Sequence, residues 1–555
     1  MFKPGGITFL EGFILFCAAI CIPPYVVSSW NYMIGIFIEG FGTPETSTYP
    51  YFDAHGPLPS IRSRTALAIC MRNEDPAPIF DRVHAMRESL RQVNKLQHFR
   101  FLLLSDTSEP DVTKMEAEGV ARLESDLSEA KRQSIMYRRR KKNTGFKAGN
   151  IKDYLDNHSQ GDDFFIILDS DSVMGGDLLV RLVASMERHP EIGLLQTQFT
   201  SLPASGAFTR LLQFSLRWSL RASNLGSCWW TGDCAFYWGH NAIIRTAAFH
   251  KHCMLPVLPG KPPLGGHILS HDVMEGIFMR RAGYEVRLVP IDTESYESNP
   301  PTFLDYLRRE HRWCQGNMQY WFMLTEPGIG LVGRFQVYLM LASYLAPASW
   351  ALMSFAAIAK GLMAGYNDTE VDFSLKLQVA IVGFNLLPRL AGIVAIMVTS
   401  DRYGGSIRSL VSSVLEFTLM TLIRPVIAVA ITSFLLELML GKSTSWDGQN
   451  RDRLGLSWRE SARALWLQTC IGCGISGLLV KSFPYLDVWS LSCFVFVVGL
   501  CLAIPFTVIT ASPLLGRITT RLGLFALPEE ISKPPLLSML SNQRQANSTK
   551  GHLFV

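Results

Sequence analysis

A chain of 555 residues with 48% hydrophobic residues and a mean hydropathy of +0.17 is too apolar to be a string of water-soluble domains, and it is not a disordered polymer. Charge is uneven: 67 of the 293 residues in 42–334 are charged, against 22 of the 181 in 335–515, so a polar globular block precedes a membrane block. The net charge of +5 gathers at membrane borders and in one local cluster, so it carries no nucleic-acid footprint and no nucleic-acid partner is expected.

In chain order, residues 7–41 form an apolar run whose charges are Glu11 and Glu39 and whose interior carries the pair Pro23-Pro24. It is too long for the apolar region of a signal peptide, and residues 1–41 are expected to be a retained N-terminal membrane helix. Residues 42–334 are expected to form the globular block. Within it, apolar strand-like runs alternate with helical patterns: TALAICM (65–71), a helix over 76–93, FRFLLLS (99–105), a helix near 111–118, FFIILDS (164–170), a helix over 177–188, and GLLQTQ (193–198). This alternation predicts an α/β domain on a parallel sheet. Ligands of such sheets bind beyond the carboxyl ends of the strands, and polar residues stand there: Asn73 and Glu74 after the first strand, Asp106 after the second, Asp169 and Asp171 after the third. No G-x-G-x-x-G or Walker A motif follows the first strand, which disfavours dinucleotide and ATP-binding loops.

Residues 335–515 are expected to form a multi-span α-helical transmembrane domain, with spans near 335–362, 375–399, 410–440, 462–481 and 486–511, followed by a cytoplasmic tail at 516–555. Basic residues in the loops (Arg402, Arg408, Lys442, Arg451, Arg453) place those loops and the globular block on the cytoplasmic side. The span at 410–440 then begins and ends on one side. It is expected to be kinked or re-entrant around Arg424-Pro425, with an interfacial helix as the alternative. The loop 444–451 reads as a basic connector or as a lid over the donor. The eleven cysteines show no paired framework and suit a reducing compartment; Cys470 and Cys473, inside an apolar run, are expected to be packing thiols.

Asp169-Ser170-Asp171 sets two carboxylates two residues apart where a buried strand ends. Oxygen ligands of this kind suit Mg²⁺ or Mn²⁺ bound also by a substrate diphosphate. Asp272 opens a helical pattern and would serve equally as a helix cap.

The ordered set Asp106, Asp169-Ser170-Asp171, Ser270-His271-Asp272 and Arg309-Glu310-His311-Arg312-Trp313 resembles the D, D-x-D, (T/E)D and (Q/R)xxRW pattern of the processive family 2 glycosyltransferases. CMRNED (70–75), YRRRKKNTGFKAGN (137–150), YWGHNAIIR (237–245), LSHDVMEGIFMRRAGYEV (269–286) and REHRWCQGN (309–317) are similar to the glucosyltransferase H group of that family, which makes osmoregulated periplasmic glucans. The resemblance implies a cytoplasmic transferase domain of the GT-A type and a multi-pass protein of the bacterial inner membrane. It implies an inverting, processive enzyme that polymerises glucose from UDP-glucose into a linear β-1,2-glucan and passes the growing chain across the membrane. A β-1,4 or β-1,6 glucan synthase, or a transfer-inactive exporter, is the alternative. Carried over, Asp272 is the catalytic base. Asn73, Glu74, Asp106, Lys147, Asp169, Arg309 and Arg312 bind the donor. Trp313, Trp238, His240 and Asn241 bind the acceptor, and Asp169 and Asp171 hold Mg²⁺ or Mn²⁺. Membrane lipid, acyl carrier protein and periplasmic glucan-modifying proteins are the implied partners. His271 stands where many members carry Glu, and Arg309 where Gln is commoner; both departures favour the glucosyltransferase H group. That group carries a longer N-terminal extension, so regulation residing there is not expected of this chain.

Overall fold

A computed structural model describes residues 7–125, 134–364, 383, 386–444, 454–482 and 488–551. The strands, in chain order, are β1 (Thr65–Met71), β2 (Phe99–Ser105), β3 (Ile135–Arg139), β4 (Phe164–Asp169), β5 (Val173–Met174), β6 (Ile192–Thr197), β7 (Thr200–Ser201), β8 (Ala242–Arg245), β9 (Val257–Leu258), β10 (Gly266–His267), β11 (Glu285–Val289) and β12 (Ser295–Glu297). Seven of them make one sheet in the order β11-β6-β8-β4-β1-β2-β3, and β5-β12-β7 make a small second sheet beside it.

β1 pairs in parallel with β2 and β4, which accounts for its unbroken apolar sequence. Alternate residues of these strands enter opposite cores. Leu67, Ile69, Phe101, Leu103, Phe164 and Ile166 meet the helices Pro76–Gln92 and Gly176–Arg188 on one face. Ala66, Ala68, Leu102, Phe165 and Ile167 meet Phe146–Asn157, Thr246–His252 and Asp272–Arg281 on the other. The sheet departs from the expected all-parallel form at β8, which runs antiparallel between β4 and β6. Four residues, AIIR, follow the long helix Ala207–Thr231 and a polar turn, too short a run to register as a strand. The helix expected near 111–118 extends over Pro110–Ser125.

Among the described residues, four helices are long and apolar enough to cross a membrane: Phe9–Phe41, Leu331–Met363, Ser406–Met439 and Trp458–Ser482. A fifth candidate, Cys493–Cys501 with Ala503–Thr510, is bent by 56°. Of the span expected at 375–399, the helix Leu386–Val398 is described; the lid or connector residues 445–451 lie outside the described residues. The N-terminal helix packs tightly on Ala207–Thr231: a Cβ on Gly35 would stand 1.8 Å from the Ala222 carbonyl oxygen, and one on Gly226 equally close to that of Asn31. Close approach fixes the globular block against the membrane helices.

Ser406–Met439 is one continuous helix, not a re-entrant pair, and Pro425 sits inside it. Near its start Glu416 accepts a hydrogen bond from Ser215 (2.7 Å) and forms a buried ion pair with Arg389 (2.6 Å). Near its end Phe434 stacks on His311 with ring centres 4.5 Å apart. Both ends therefore touch the globular block.

Beyond the last span the chain turns back into the globular block. Arg210, 2% exposed, pairs with Glu530 (2.7 Å), and Arg217 pairs with Glu529 (3.1 Å) and Asp292 (2.6 Å). Leu536, Leu537 and Leu540 are buried in the same core as Leu67 and Ile69, and Leu536 donates its backbone N–H to Glu294 (3.2 Å). The tail expected as an appendage is a piece of the domain.

Candidate active site

β1, β2 and β4 end side by side, and a cleft opens over their carboxyl ends, as the alternation of elements requires. Glu74, Asp106, Lys147 and Asp169 line it from the sheet side. Arg309, Arg312 and Trp313 line it from the helix Phe303–Met318, which starts at the Thr302 cap. Residues separated by more than 200 positions thus share one wall.

The cations are held by carboxylates. Lys147 bonds Asp169 and the Gly239 carbonyl oxygen (2.8 Å). Burial alone would lower the Lys147 pKa, but the Asp169 and Asp272 charges outweigh it and raise it above the ordinary lysine value. Asp106 receives two parallel hydrogen bonds of 2.7 Å from Arg140. Arg140 belongs to the basic run 138–142. Arg138 and Arg139 are likewise committed inward, to the carbonyl oxygens of Asn150 (3.0 Å) and Thr107 (3.2 Å). Arg309 lies 4.4 Å over the Trp313 ring and 5.3 Å over Tyr306, a stack that presents the 43% exposed indole to the cleft.

Asp272 opens the helix Asp272–Arg281 beside Gly239, where a Cβ would approach its own to 3.1 Å; Gly239 has φ +84, which glycine adopts without strain. Through Gly239 the Asp272 carboxylate neighbours the Lys147–Asp169 pair. The preceding His271 bonds Glu275 (2.8 Å), both buried. Burial would lower the His271 pKa, yet Glu275 raises it above the ordinary histidine value.

Other expected residues are placed differently. Asn73, at φ +51, clamps the loop after β2: its Oδ1 accepts from the backbone of Ser108 (2.8 Å) and Glu109 (3.2 Å). Asn241 is fully buried and donates to Ser295 Oγ (2.8 Å). Trp238 packs edge-on against Phe199 and donates its backbone N–H to Gln196 (2.7 Å). None of the three lines the cleft.

Asp171, expected to share a metal with Asp169, has a fully buried side chain. The strand ends at Asp169 and a turn follows, closed by Ser172 N–H to the Asp169 carbonyl oxygen (3.0 Å). Instead Asp169, His240 and Glu297 each bring a ligand atom within 4.8 Å of the others. Two carboxylates and an imidazole suit a divalent cation of the Mn²⁺ kind. Burial, then the charge of Asp169, pushes the Glu297 pKa up to about 8; burial pulls that of His240 down. Sequence reasoning missed Glu297, which lies in a three-residue strand without periodicity.

Two family models match: "Glycosyl transferase family group 2" over residues 164–510 and "Glycosyl transferase family 2" over 67–253. Among curated relatives, a glucans biosynthesis glucosyltransferase H of Xanthomonas euvesicatoria pv. vesicatoria is 34% identical over 520 residues, covering 90% of this chain and 80% of the relative. Proteins of the same name from Xylella fastidiosa (33%, 98% and 87% covered) and Rhodopseudomonas palustris (34%, 97% and 75% covered) are similar. Of solved structures, a mannosyltransferase from Pyrobaculum calidifontis, titled in complex with GDP-Man and Mn²⁺, shares 15% identity with a TM-score of 0.44, over 70% of this chain and 98% of that one. The fold, the motif residues gathered in one cleft and relatives matched along nearly the whole chain agree: this protein belongs to the glucans biosynthesis glucosyltransferase H family of family 2 glycosyltransferases.

Proposed function

We propose that the protein polymerises glucose from UDP-glucose into a linear β-1,2-glucan by inverting transfer, and passes the chain across a bacterial inner membrane. The observation that carries this reading is the convergence of Asp169, Lys147, Arg309, Arg312 and Trp313 on one cleft, with Asp272 behind Gly239. Lys147, Arg309 and Arg312 compensate the donor diphosphate. Asp106, held by Arg140, receives the uracil end, and Trp313 offers an apolar face to the acceptor sugar. Asp272 accepts the proton of the attacking hydroxyl; one carboxylate base suits a single displacement, whereas hydrolysis needs two carboxyls flanking the bond. Asp169 anchors a divalent cation, which when bound takes up charge on the leaving diphosphate.

We propose residues 42–334 together with the tail as the cytoplasmic unit and 1–41 and 335–515 as the membrane unit. The tail packs into the globular core, so an even number of crossings separates them. The helix Ser406–Met439, touching the globular block at both ends, makes no net crossing. The helices 331–363, 458–482 and 493–510, with the span expected at 375–399 of which Leu386–Val398 is described, then supply four. Detergent-purified protein given UDP-glucose and Mn²⁺ is expected to release UDP and yield a β-1,2-linked product by linkage analysis. A β-1,4 or β-1,6 product overturns the linkage, and no UDP release overturns the enzyme reading.

A further inference from the structure

Three separate elements deliver ligand atoms to one point at the edge of the cleft, where Asp169 and Glu297 line it and His240 is buried beside them. Asp169 ends β4, Glu297 ends β12, and His240 sits in the loop before β8, with their ligand atoms within 4.8 Å of one another. The geometry around the imidazole decides what gathers there. His240 Nε2 lies 3.6 Å from the Glu297 carboxylate, and Nδ1 lies 3.2 Å from Asn241 Oδ1. The orientation of the Asn241 amide is set from its far side, where Nδ2 donates to Ser295 Oγ at 2.8 Å and leaves the oxygen facing the ring. A carbonyl oxygen has no hydrogen to give, so Nδ1 carries the proton, and in the neutral ring Nε2 keeps its lone pair on the side of the carboxylates.

Lys147 already bonds one oxygen of Asp169, and the lone pair and the remaining carboxylate oxygens stand close enough for a divalent cation to be shared among all three groups. The support is rigid. Asn241 is fully buried, its backbone N–H bonds Ile167 (2.8 Å), its carbonyl oxygen accepts from Thr197 Oγ1 (2.9 Å), and Phe199 lies 4.6 Å from the His240 ring. A histidine whose second ring nitrogen is tied to a fixed acceptor is the arrangement that orients metal-binding imidazoles. Asn241, read from sequence as a sugar contact, acts here on the ring beside it.

We propose that Asp169, His240 and Glu297 are the protein ligands of the divalent cation, and that the imidazole nitrogen makes this site prefer Mn²⁺ to Mg²⁺. This rests on the reading above that the cleft transfers glucose from UDP-glucose with a divalent cation. Mg²⁺ favours an all-oxygen shell and gives up its water reluctantly, whereas a nitrogen donor raises affinity along the series in which Mn²⁺ is followed by the later transition metals.

The test is electron spin-echo envelope modulation on the full-length protein in detergent with Mn²⁺ and UDP, beside Mn²⁺ and Mg²⁺ titrations. Wild type is expected to show a directly bound ¹⁴N. His240→Gln is expected to lose that coupling and to narrow the Mn²⁺-over-Mg²⁺ preference. Glu297→Gln is expected to keep the coupling while Mn²⁺ affinity falls about tenfold or more. Metal-free UDP binding reports whether each variant is folded, and if His240→Gln is not, the wild-type spectrum and Glu297→Gln carry the test. Bound Mn²⁺ without ¹⁴N coupling, or unchanged Mn²⁺ affinity in Glu297→Gln, overturns this ligand set and leaves the transfer reading standing. Glucose transfer that persists under chelation, with no Mn²⁺ bound, overturns the metal itself.

Discussion

Replacing Arg217 by methionine is expected to loosen the tail from the catalytic domain. The guanidinium, 5% exposed, gives two bonds to Asp292 (2.6 and 2.9 Å) and one to Glu529 (3.1 Å). Methionine fills much of the space of the stem but leaves two carboxylates uncompensated. Removing one partner of a buried pair costs about 3–5 kcal/mol. Asp292 is 22% exposed and keeps Arg402 at 3.9 Å, so the lower end, about 3 kcal/mol, applies. At 1.4 kcal/mol per tenfold, the opened form becomes about 100-fold more populated. Limited proteolysis of the detergent-purified protein is the assay, with cleavage within 528–551 read by mass spectrometry. Arg217→Lys, which keeps the charge, is expected to recover part of the resistance. Because Asp292 precedes the strand that bears Glu297, UDP-dependent Mn²⁺ binding should weaken alongside. If Arg217→Met resists protease as wild type does, the tail is not held by this charge cluster and the reasoning fails.

Asp272→Asn is expected to lower transfer about 10²- to 10⁴-fold while UDP binding stays nearly intact, measured by UDP release beside UDP titration; near-normal turnover removes Asp272 from the role of base. Arg140→Gln strips Asp106 of its bidentate partner and is expected to weaken UDP binding without altering the Mn²⁺ preference; unchanged UDP affinity would mean the pair only closes the loop. The raised His271 pKa means the His271–Glu275 pair stabilises fully below the ordinary histidine pKa and is lost as pH rises through the folded value. The stability gap between wild type and Glu275→Gln, followed by thermal melting, should therefore shrink from about pH 6 upward, and a gap independent of pH contradicts the pairing.

What the sequence disclosed follows from periodicity. Asp106 and Asp169 were legible because β2 and β4, buried on both faces, read as unbroken apolar runs that a carboxylate ends or follows. The positions of Arg309, Arg312 and Trp313 came from the family pattern, since nothing local says that a helix 130 residues on completes the cleft. Glu297 and Arg140 escaped for opposite reasons: the strand SYE is too short to have a period, and RRRKK looks like a solvated run until its partners are seen. Asn73 and Asn241, at φ +51 and +50, show polar residues at strand ends spent on holding backbone and neighbouring side chains.

The burial of Leu536, Leu537 and Leu540 sets the order of events in biosynthesis. These residues leave the ribosome after every candidate span has been made, yet they fill the same core as strands translated more than 400 residues earlier. On the topology proposed above, the catalytic domain waits, its core open, until the last hairpin, Trp458–Ser482 with Cys493–Thr510, is inserted and delivers the tail to the side of the globular block. A chain whose final hairpin goes in wrongly strands these leucines across the bilayer and leaves an unfinished, protease-sensitive domain. On that topology, insertion of the last hairpin and completion of the enzyme's core are one event.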